Sequence, residues 1–315
     1  MQRRHLRTET LPLIGDSISA RAPLLFNPDV VVSRVAPDCS DEHYFSNADA
    51  DELLFIQNGG GTLVSPFGRL EFGAGDYVLV PKAVAHRFEL GLARQSWLSL
   101  ELHSELQPLS QFRNRSGQLR MDAPYTHRDF RIPEFTGPEA CNLRTLLVKR
   151  ANALYCLEFD HSLLDVVGYD AAVYPWAFSI HAFQPRVGYV HLAPTAHSTF
   201  VASGVLICSF VPRLLDFAPG AIPSPYPHSS IDIDEVLFYS AGQFVSRSGV
   251  GPGSITWHPR GIPHGPQPGR YEASVGAQRT DELAVMLDCA KPLQLTDAAL
   301  PADDPNYEES FRAPH

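Results

Sequence analysis

The most informative pattern in this chain runs from His228-Ser-Ser-Ile-Asp-Ile-Asp-Glu235-Val-Leu-Phe-Tyr239 through Gly242 to Gly253-Ser-Ile-Thr-Trp-His-Pro-Arg-Gly-Ile-Pro-His264. Short apolar runs alternate here with turns that contain glycine and proline, which is typical of short strands. An earlier segment repeats the order. A glutamate opens an apolar run at Glu52, and the spacing G-x(5)-P-x(4)-H recurs from Gly75 to His86. Two β-barrels of one type, in tandem, account for this repetition.

The composition also favours two β-rich domains. A chain of 315 residues has room for about two domains. Its 27 prolines and 22 glycines recur throughout, which opposes long helices and favours short strands joined by turns. We therefore predict an all-β chain with a few short helices, one of them at 144–153. Two double-stranded, jelly-roll-type barrels are expected at 1–150 and 151–315, and a loosely packed acidic tail is expected from Asp297 onward.

Charge and segment composition argue against several classes of protein. The formal net charge is −10 and no long basic run offsets it, so we expect no nucleic-acid partner. No stretch approaches about 18 consecutive apolar residues, so we expect no membrane span. The basic start of the chain is followed by Thr8-Glu-Thr10 rather than an apolar segment, unlike a secretory signal. Five cysteines without a C-x-x-C pair fit a reduced protein of the cytoplasm.

The candidate metal ligands are His228, Glu235 and His264. Two imidazoles and one carboxylate form a set that suits non-haem Fe(II) and leaves coordination positions open. The separation of seven residues between His228 and Glu235 is odd, whereas side chains on one face of a strand are an even number apart. A bend, bulge or strand boundary must therefore lie between them. Asp234 would be in phase on a regular strand and is the reserve ligand.

These residues carry a resemblance to a known family. His228 to Gly242 resembles the first cupin motif, and Gly253 to His264 resembles the second. Four further stretches look like homogentisate 1,2-dioxygenase of the bacterial type. They are Asp165-Val-Val-Gly-Tyr-Asp-Ala-Ala-Val-Tyr-Pro-Trp176, His191-Leu-Ala-Pro-Thr-Ala-His-Ser-Thr-Phe200, Ile207-Cys-Ser-Phe-Val-Pro-Arg213 and Ile222-Pro-Ser-Pro-Tyr-Pro-His228.

The resemblance implies a tandem cupin, or bicupin, with an Fe(II) site. His228, Glu235 and His264 correspond to the iron ligands. The residues that correspond to catalytic or substrate-pocket positions are His191, with His197 as the competing acid/base, His258 and Tyr226. The implied reaction inserts O2 into homogentisate, a small aromatic acid, and yields maleylacetoacetate in tyrosine degradation. The family also implies a cytoplasmic homo-oligomer.

The first barrel lacks an equivalent ligand set. Glu52 and His86 match Glu235 and His264, but Phe45 and Asn47 stand seven and five residues before Glu52, where the motif has histidines. Structural and catalytic metal sites usually need three or more protein ligands. We therefore interpret the first barrel as structural.

Other activities remain open at this stage. Ser230 stands where the family usually has asparagine, and Ala171 and Ala172 also depart from its pattern, which keeps open another hydroxy-aromatic acid such as gentisate. A cupin isomerase using zinc or manganese and a non-catalytic metal-binding bicupin are the further alternatives, because the fold alone does not separate them.

Overall fold

The structure is a computed structural model that describes residues 1–137, 142–166, 169–170, 173–189, 194–221, 223, 226–244 and 246–312. Among these residues, no helix is long and apolar enough to cross a membrane.

Strands dominate the described part of the chain. They are β1 (Arg4–Arg7), β2 (Arg21–Phe26), β3 (Val30–Val35), β4 (Tyr44–Asn47), β5 (Asp51–Asn58), β6 (Gly60–Ser65), β7 (Gly68–Gly73), β8 (Asp76–Val80), β9 (Arg87–Leu90), β10 (Ser96–Leu102), β11 (Gln107–Pro108), β12 (Phe130–Arg131), β13 (Thr145–Arg150), β14 (Ala153–Glu158), β15 (Trp176–Ser179), β16 (Ser198–Ala202), β17 (Val205–Phe210), β18 (Arg213–Leu214), β19 (Asp234–Ala241), β20 (Ser254–His258), β21 (Arg279–Thr280), β22 (Leu283–Cys289) and β23 (Gln294–Leu295).

Helices are short. The α-helix α1 spans Arg270–Ser274. Short 3-10 helices lie at Thr8–Thr10, Ser110–Phe112, His127–Asp129, Ile180–Ala182, Pro194–His197, Asp297–Ala302 and Glu308–Phe311. The prediction of an all-β chain with a few short helices is confirmed.

The chain divides into two compact units, each built from separated segments. Unit 1 comprises Met1–Leu11, Gln107–Tyr125 and Phe183–His315, and unit 2 comprises Pro12–Leu106 and Thr126–Ala182. This division does not follow the predicted boundary between residues 150 and 151. Strand pairing explains the difference, because the N-terminal β1 pairs with β20 of unit 1, while β15 pairs with β8 of unit 2.

Unit 1 is built on an antiparallel sheet with the strand order β1-β20-β19-β22-β17-β16-β11. Strand β19 lies between β20 and β22. Its even-numbered residues Val236 and Phe238 are fully buried, whereas the odd-numbered Glu235, Leu237 and Tyr239 line a cavity. This alternation is the two-residue period of a strand.

In unit 2, the main sheet has its strands in the order β12-β15-β8-β5-β10-β3-β2, and smaller sheets have the orders β7-β6-β9 and β14-β13-β4. The core lies between these layers. Leu54 and Ile56 of β5 belong to one buried cluster with Phe72, Phe88 and Trp97, so β5 has the central position that β19 has in unit 1.

The prediction of a short helix at 144–153 is wrong. Residues 145–158 form the hairpin β13–β14, and β13 also pairs in parallel with β4. The turn residues Ala151 and Asn152 have φ angles of 52° and 58°, as a two-residue type I′ hairpin turn requires. Pairing with β4 on one side and β14 on the other overrides the weak helix preference of this segment.

The acidic tail is packed rather than loose. Tyr307 is 3% exposed, and the guanidinium of Arg3 lies 2.6 Å from the carboxylate of Glu308. Arg7 forms a second ion pair of 2.6 Å with Asp304. The basic start of the chain and the acidic tail therefore hold each other within unit 1.

The two units share one local construction. In unit 1, His228 and His264 exchange two backbone hydrogen bonds of 2.7 Å, and in unit 2 Phe45 and His86 exchange two of 2.7 and 2.9 Å. His228 precedes Glu235 by seven residues, and Phe45 precedes Glu52 by the same number. The internal duplication that the spacing predicts is therefore present in the backbone.

In unit 2, a network of charges surrounds the glutamate. Arg21 donates to Glu52 at 2.6 Å and to Glu101 at 3.3 Å, and Lys149 also pairs with Glu101. Burial opposes ionisation of Glu52, but the charges of Arg21 and His86 hold the pKa of its carboxyl below the usual range. Cations from the chain itself thus balance these buried carboxylates.

Replacing Arg21 by Met should lower the free energy of unfolding by about 3–5 kcal/mol, because it leaves buried carboxylates without their cation. Urea denaturation measures this loss. The control is Arg120→Met, whose partner Asp122 is 64% exposed; this variant should lose less than about 1 kcal/mol. Equal losses for the two variants would show that the network of unit 2 does not stabilise the fold.

Candidate metal centre

A cavity of about 320 Å³ lies inside unit 1. Alternate residues of two neighbouring strands form much of its wall, because side chains on one face of a strand recur every second position. These residues are Glu235, Leu237 and Tyr239 of β19, and Ala284, Met286 and Asp288 of β22.

The structure brings the three predicted ligands together, with His228 and Glu235 on this wall. One potential ligand atom from each of His228, Glu235 and His264 lies within 4.8 Å of the other two. The two imidazole rings are 4.3 Å apart between centroids. Gly265 permits this close approach, because a Cβ atom there would lie 2.7 Å from Cα of Pro227.

The odd spacing between His228 and Glu235 is explained by a strand boundary. His228 lies on an isolated bridge before β19, which starts only at Asp234. The Asp234 carboxylate accepts hydrogen bonds from Trp257 Nε1 and from the backbone N–H groups of Leu293 and Arg260. These three donors hold the Asp234 carboxylate on the other face of β19. Asp234, the reserve ligand, therefore does not join His228, Glu235 and His264.

Backbone carbonyls fix both imidazoles in one tautomer. His228 Nδ1 lies 2.9 Å from the carbonyl oxygen of Tyr226, and His264 Nδ1 lies 3.0 Å from that of Ile262. Since a carbonyl only accepts, each Nδ1 carries the proton and donates it. Each Nε2 is therefore left with a free lone pair, which is the form that binds a metal.

Glu235 is held ionised although it is buried. Burial tends to raise its pKa, but the hydrogen bond from His258 and the electrostatic effect of His258, His264 and the Arg247 cation outweigh burial and lower the pKa to about 2. An ionised carboxylate beside two imidazole lone pairs is a donor set for a divalent transition metal. Nε2 of His264 is buried without a hydrogen-bond partner, as expected for a lone pair reserved for such an ion. The residues present therefore fit a metal.

His258 lies behind the ligands rather than on the cavity wall. It is fully buried, its Nδ1 is 2.8 Å from Glu235 Oε1, and its Nε2 is 3.3 Å from the hydroxyl of Tyr307. Burial lowers the pKa of His258 to about 4, so its imidazole is neutral near pH 7. In this position His258 orients Glu235 and does not face a bound substrate.

The other predicted site residues are placed differently from one another. His197 and Tyr226 both line the cavity. His197 packs against Phe210 with a ring separation of 4.5 Å, and its buried Nδ1 has no hydrogen-bond partner. Tyr226 is 54% exposed. His191 lies outside the described residues.

Two charged residues of the cavity were missed by sequence reasoning. Asp288 pairs with Glu235 across β19 and β22, and burial together with the charge of Glu235 raises its pKa to about 7. The buried Arg247 also lines the cavity. The available signal for Asp288 was a carboxylate inside the apolar run Leu283-Ala-Val-Met-Leu-Asp-Cys289, matched in unit 2 by Glu101, which pairs with Glu52.

Comparison with known proteins identifies the family. Residues 30–180 match the family described as homogentisate 1,2-dioxygenase N-terminal. A Saccharolobus solfataricus protein that carries the provisional name of dioxygenase is 35% identical over 309 residues, which cover 97% of this chain and 80% of the relative. A homogentisate 1,2-dioxygenase of Bradyrhizobium diazoefficiens is 25% identical over 81% of this chain. The chain belongs to the homogentisate 1,2-dioxygenase family.

The match to this family is partial in length. The chain covers 59% of the Bradyrhizobium homogentisate 1,2-dioxygenase and 63% of one from Rhodopseudomonas palustris strain BisB5. Among solved structures, a cupin 2 conserved barrel domain protein from Leptotrichia buccalis matches with a TM-score of 0.38 at 10% identity, over 86% of this chain and 88% of that one. The strands of this homogentisate 1,2-dioxygenase family member confirm the predicted all-β fold in two units.

Protonation of His197 should make the fold sensitive to acid. Burial and the charge of Arg213 lower the pKa of His197 to about 3, so between pH 6.5 and about 3 the unfolded chain binds a proton there that the folded chain does not. Stability from this residue is complete above pH 6.5 and is lost as the pH falls, by about 1.4 kcal/mol per pH unit. The variant His197→Phe should therefore show a shallower pH dependence of its unfolding free energy between pH 6 and 4. Denaturant titrations measure it, and parallel curves for the two proteins would contradict the expectation.

Proposed function

We propose that this chain is a non-haem Fe(II)-dependent ring-cleaving dioxygenase that inserts O2 into homogentisate or a closely related hydroquinone-type aromatic acid. The observation that supports this most is the donor set formed by His228, Glu235 and His264 beside the cavity. Two imidazoles with free Nε2 atoms and one ionised carboxylate come together in a member of the homogentisate 1,2-dioxygenase family. That donor set suits Fe(II) with open coordination positions.

The cavity suits a single aromatic ring. Its volume of about 320 Å³ is at the small end of the range for small-molecule sites. Phe210, Phe244 and Met286 supply apolar wall surface, against which an aromatic ring can pack. His228 and Glu235 line the same cavity, so a ring held there could present its hydroxyl groups to the ligand set.

In this proposal, each group of the chain has a limited task. Bound Fe(II) would mediate electron flow between an electron-rich ring and O2. His228, Glu235 and His264 hold the ion, and His258 keeps Glu235 aligned and ionised. His197, with its low pKa, is too weak a base to take up a phenolic proton and instead hydrogen-bonds to the substrate. We assign the acid/base role to His191, and a place on the pocket wall to Tyr226.

Gentisate or another hydroxy-aromatic acid is the second candidate substrate. Ser230 lines the cavity where the family resemblance leads one to expect asparagine. A shorter side chain at this point changes both the space and the hydrogen bonding near the ligands, which bears on the choice between related phenols. We also propose that the enzyme is a cytoplasmic homo-oligomer of aromatic-acid catabolism.

The decisive test is O2 uptake by the purified protein after anaerobic loading with Fe(II). Homogentisate should drive O2 consumption with formation of an absorbing ring-opened product, and His264→Ala should abolish both because it removes a ligand. Gentisate and related phenols form a parallel panel. Uptake with one of these but not with homogentisate would favour the second candidate. No uptake with any member, in protein containing one iron per chain, would refute the dioxygenase proposal.

Glu235 and Asp234, neighbours on β19, allow two matched variants that test the metal site. Glu235→Gln should weaken Fe(II) binding by more than about 100-fold, since loss of groups behind a ligand already costs 10–100-fold. Asp234→Asn should keep Fe(II) affinity within about tenfold, because Asp234 only braces the backbone behind the site. Metal content after dialysis against graded free Fe(II) measures both. Equal losses would mean that Asp234 also belongs to the site.

A further inference from the structure

Arg247 is the cavity residue whose charge is least balanced. It is 5% exposed and lines the cavity. Its Nη1 donates to the carbonyl oxygens of Gly265 at 2.5 Å and Ser246 at 3.2 Å. Its Nε is buried without a hydrogen-bond partner. The side chain of Tyr239 is a further hydrogen-bond partner, and the ring of Phe311 lies 5.8 Å from the guanidinium. These contacts orient the guanidinium but do not neutralise it, since all of these partners are uncharged.

The other two arginines of the cavity are satisfied. Arg213 pairs with the carboxylate of Glu282 at 2.8 Å. Arg186 is exposed and donates to the backbone carbonyl of Asp122 at 2.5 Å. Within the described ranges, by contrast, no carboxylate lies within 4.0 Å of the Arg247 guanidinium. A buried cation without a carboxylate in contact is unfavourable, so a bound anion would stabilise Arg247.

Glu235 cannot serve as that anion once the site is loaded. Its negative charge acts on Arg247 from a distance, but a divalent ion bound to Glu235 would use that charge. Arg247, which lines the cavity, would then lose the balancing charge of Glu235. An anionic group of the ligand would restore that balance through charge-assisted hydrogen bonds with the guanidinium.

We propose that Arg247 binds the carboxylate of the substrate and thereby makes the cavity selective for aromatic acids over neutral phenols. This assignment rests on the proposed dioxygenase function. Arg247 is tied to the carbonyl of Gly265, the residue directly after His264, and Arg247, His228 and Glu235 line one cavity. An acid whose carboxylate and ring hydroxyl reach both groups would be held at both ends, and Tyr239 and Phe244 supply aromatic surface in the same cavity.

The test compares an acid with its uncharged analogue. The probes are 2-hydroxyphenylacetate and 2-hydroxyphenylacetamide, and their binding to Fe(II)-loaded protein is measured anaerobically by calorimetry. Arg247→Met should weaken binding of the acid at least about tenfold and change binding of the amide less than about threefold, because only the acid makes charge-assisted hydrogen bonds. Arg247→Lys keeps the charge but loses the planar fork, so its affinity for the acid should lie between wild type and Arg247→Met.

Arg279→Met is the matched control, because it removes an exposed arginine of unit 1 that is not among the cavity residues. It should change the affinity for either probe less than about threefold. Equal weakening of acid and amide by Arg247→Met and Arg247→Lys would overturn the proposal, and so would a wild type that binds the amide as tightly as the acid. Should Arg247→Met fail to fold, the acid-to-amide ratio of Arg247→Lys still decides the question.

The binding test of Arg247 can succeed or fail independently of the O2-uptake test of the dioxygenase function. Acid binding that depends on Arg247, in a protein without O2 uptake, would keep the anchor and refute the dioxygenase. O2 uptake that continues with homogentisate while Arg247→Met leaves the acid-to-amide ratio unchanged would keep the dioxygenase and refute the anchor.

Discussion

Two backbone hydrogen bonds between His228 and His264, each 2.7 Å long, determine the geometry of the whole site. They bring a loop that precedes β19 against the loop that follows β20, and so place both imidazoles beside Glu235. Each ring is then turned by a carbonyl only two residues before it, that of Tyr226 or Ile262. The metal-binding tautomers are thus set by local backbone rather than by distant side chains, which keeps them independent of the packing elsewhere in the cavity.

The same pair of backbone hydrogen bonds occurs in unit 2, where different side chains surround it. Phe45 takes the place of His228, and His86 keeps the carbonyl contact of its counterpart, with Nδ1 3.0 Å from the oxygen of Val84. Glu52 remains, but the cation beside it is the guanidinium of Arg21. One scaffold therefore carries a buried carboxylate balanced by an arginine in one unit, and a buried carboxylate with two free imidazole lone pairs in the other.

Motif spacing predicts the short strands and the ligands His228, Glu235 and His264, because these depend on residues that are close together along the chain. The choice of Glu235 over Asp234 agrees with the side on which each carboxylate lies, since both follow from where β19 starts. Pairing between distant segments could not be predicted, because sequence patterns do not identify a strand's partner. This is why the sequence predicts a helix where β13 lies and does not predict that β1 pairs with β20. Asp288 and Arg247 were missed because each is a single polar residue outside any motif, and only the cavity gives them a role.

The packed tail has a consequence for the centre. The hydroxyl of Tyr307 lies 3.3 Å from His258 Nε2, His258 holds Glu235, and the ring of Phe311 lies 5.8 Å from the Arg247 guanidinium. The tail thus touches the group behind the carboxylate ligand and the proposed anchor, while Arg3 fastens it to the chain's other end. Occupancy of the centre and docking of the tail are therefore linked equilibria. A ligand that binds more tightly when the tail is docked must hold the tail in place more firmly by the same factor.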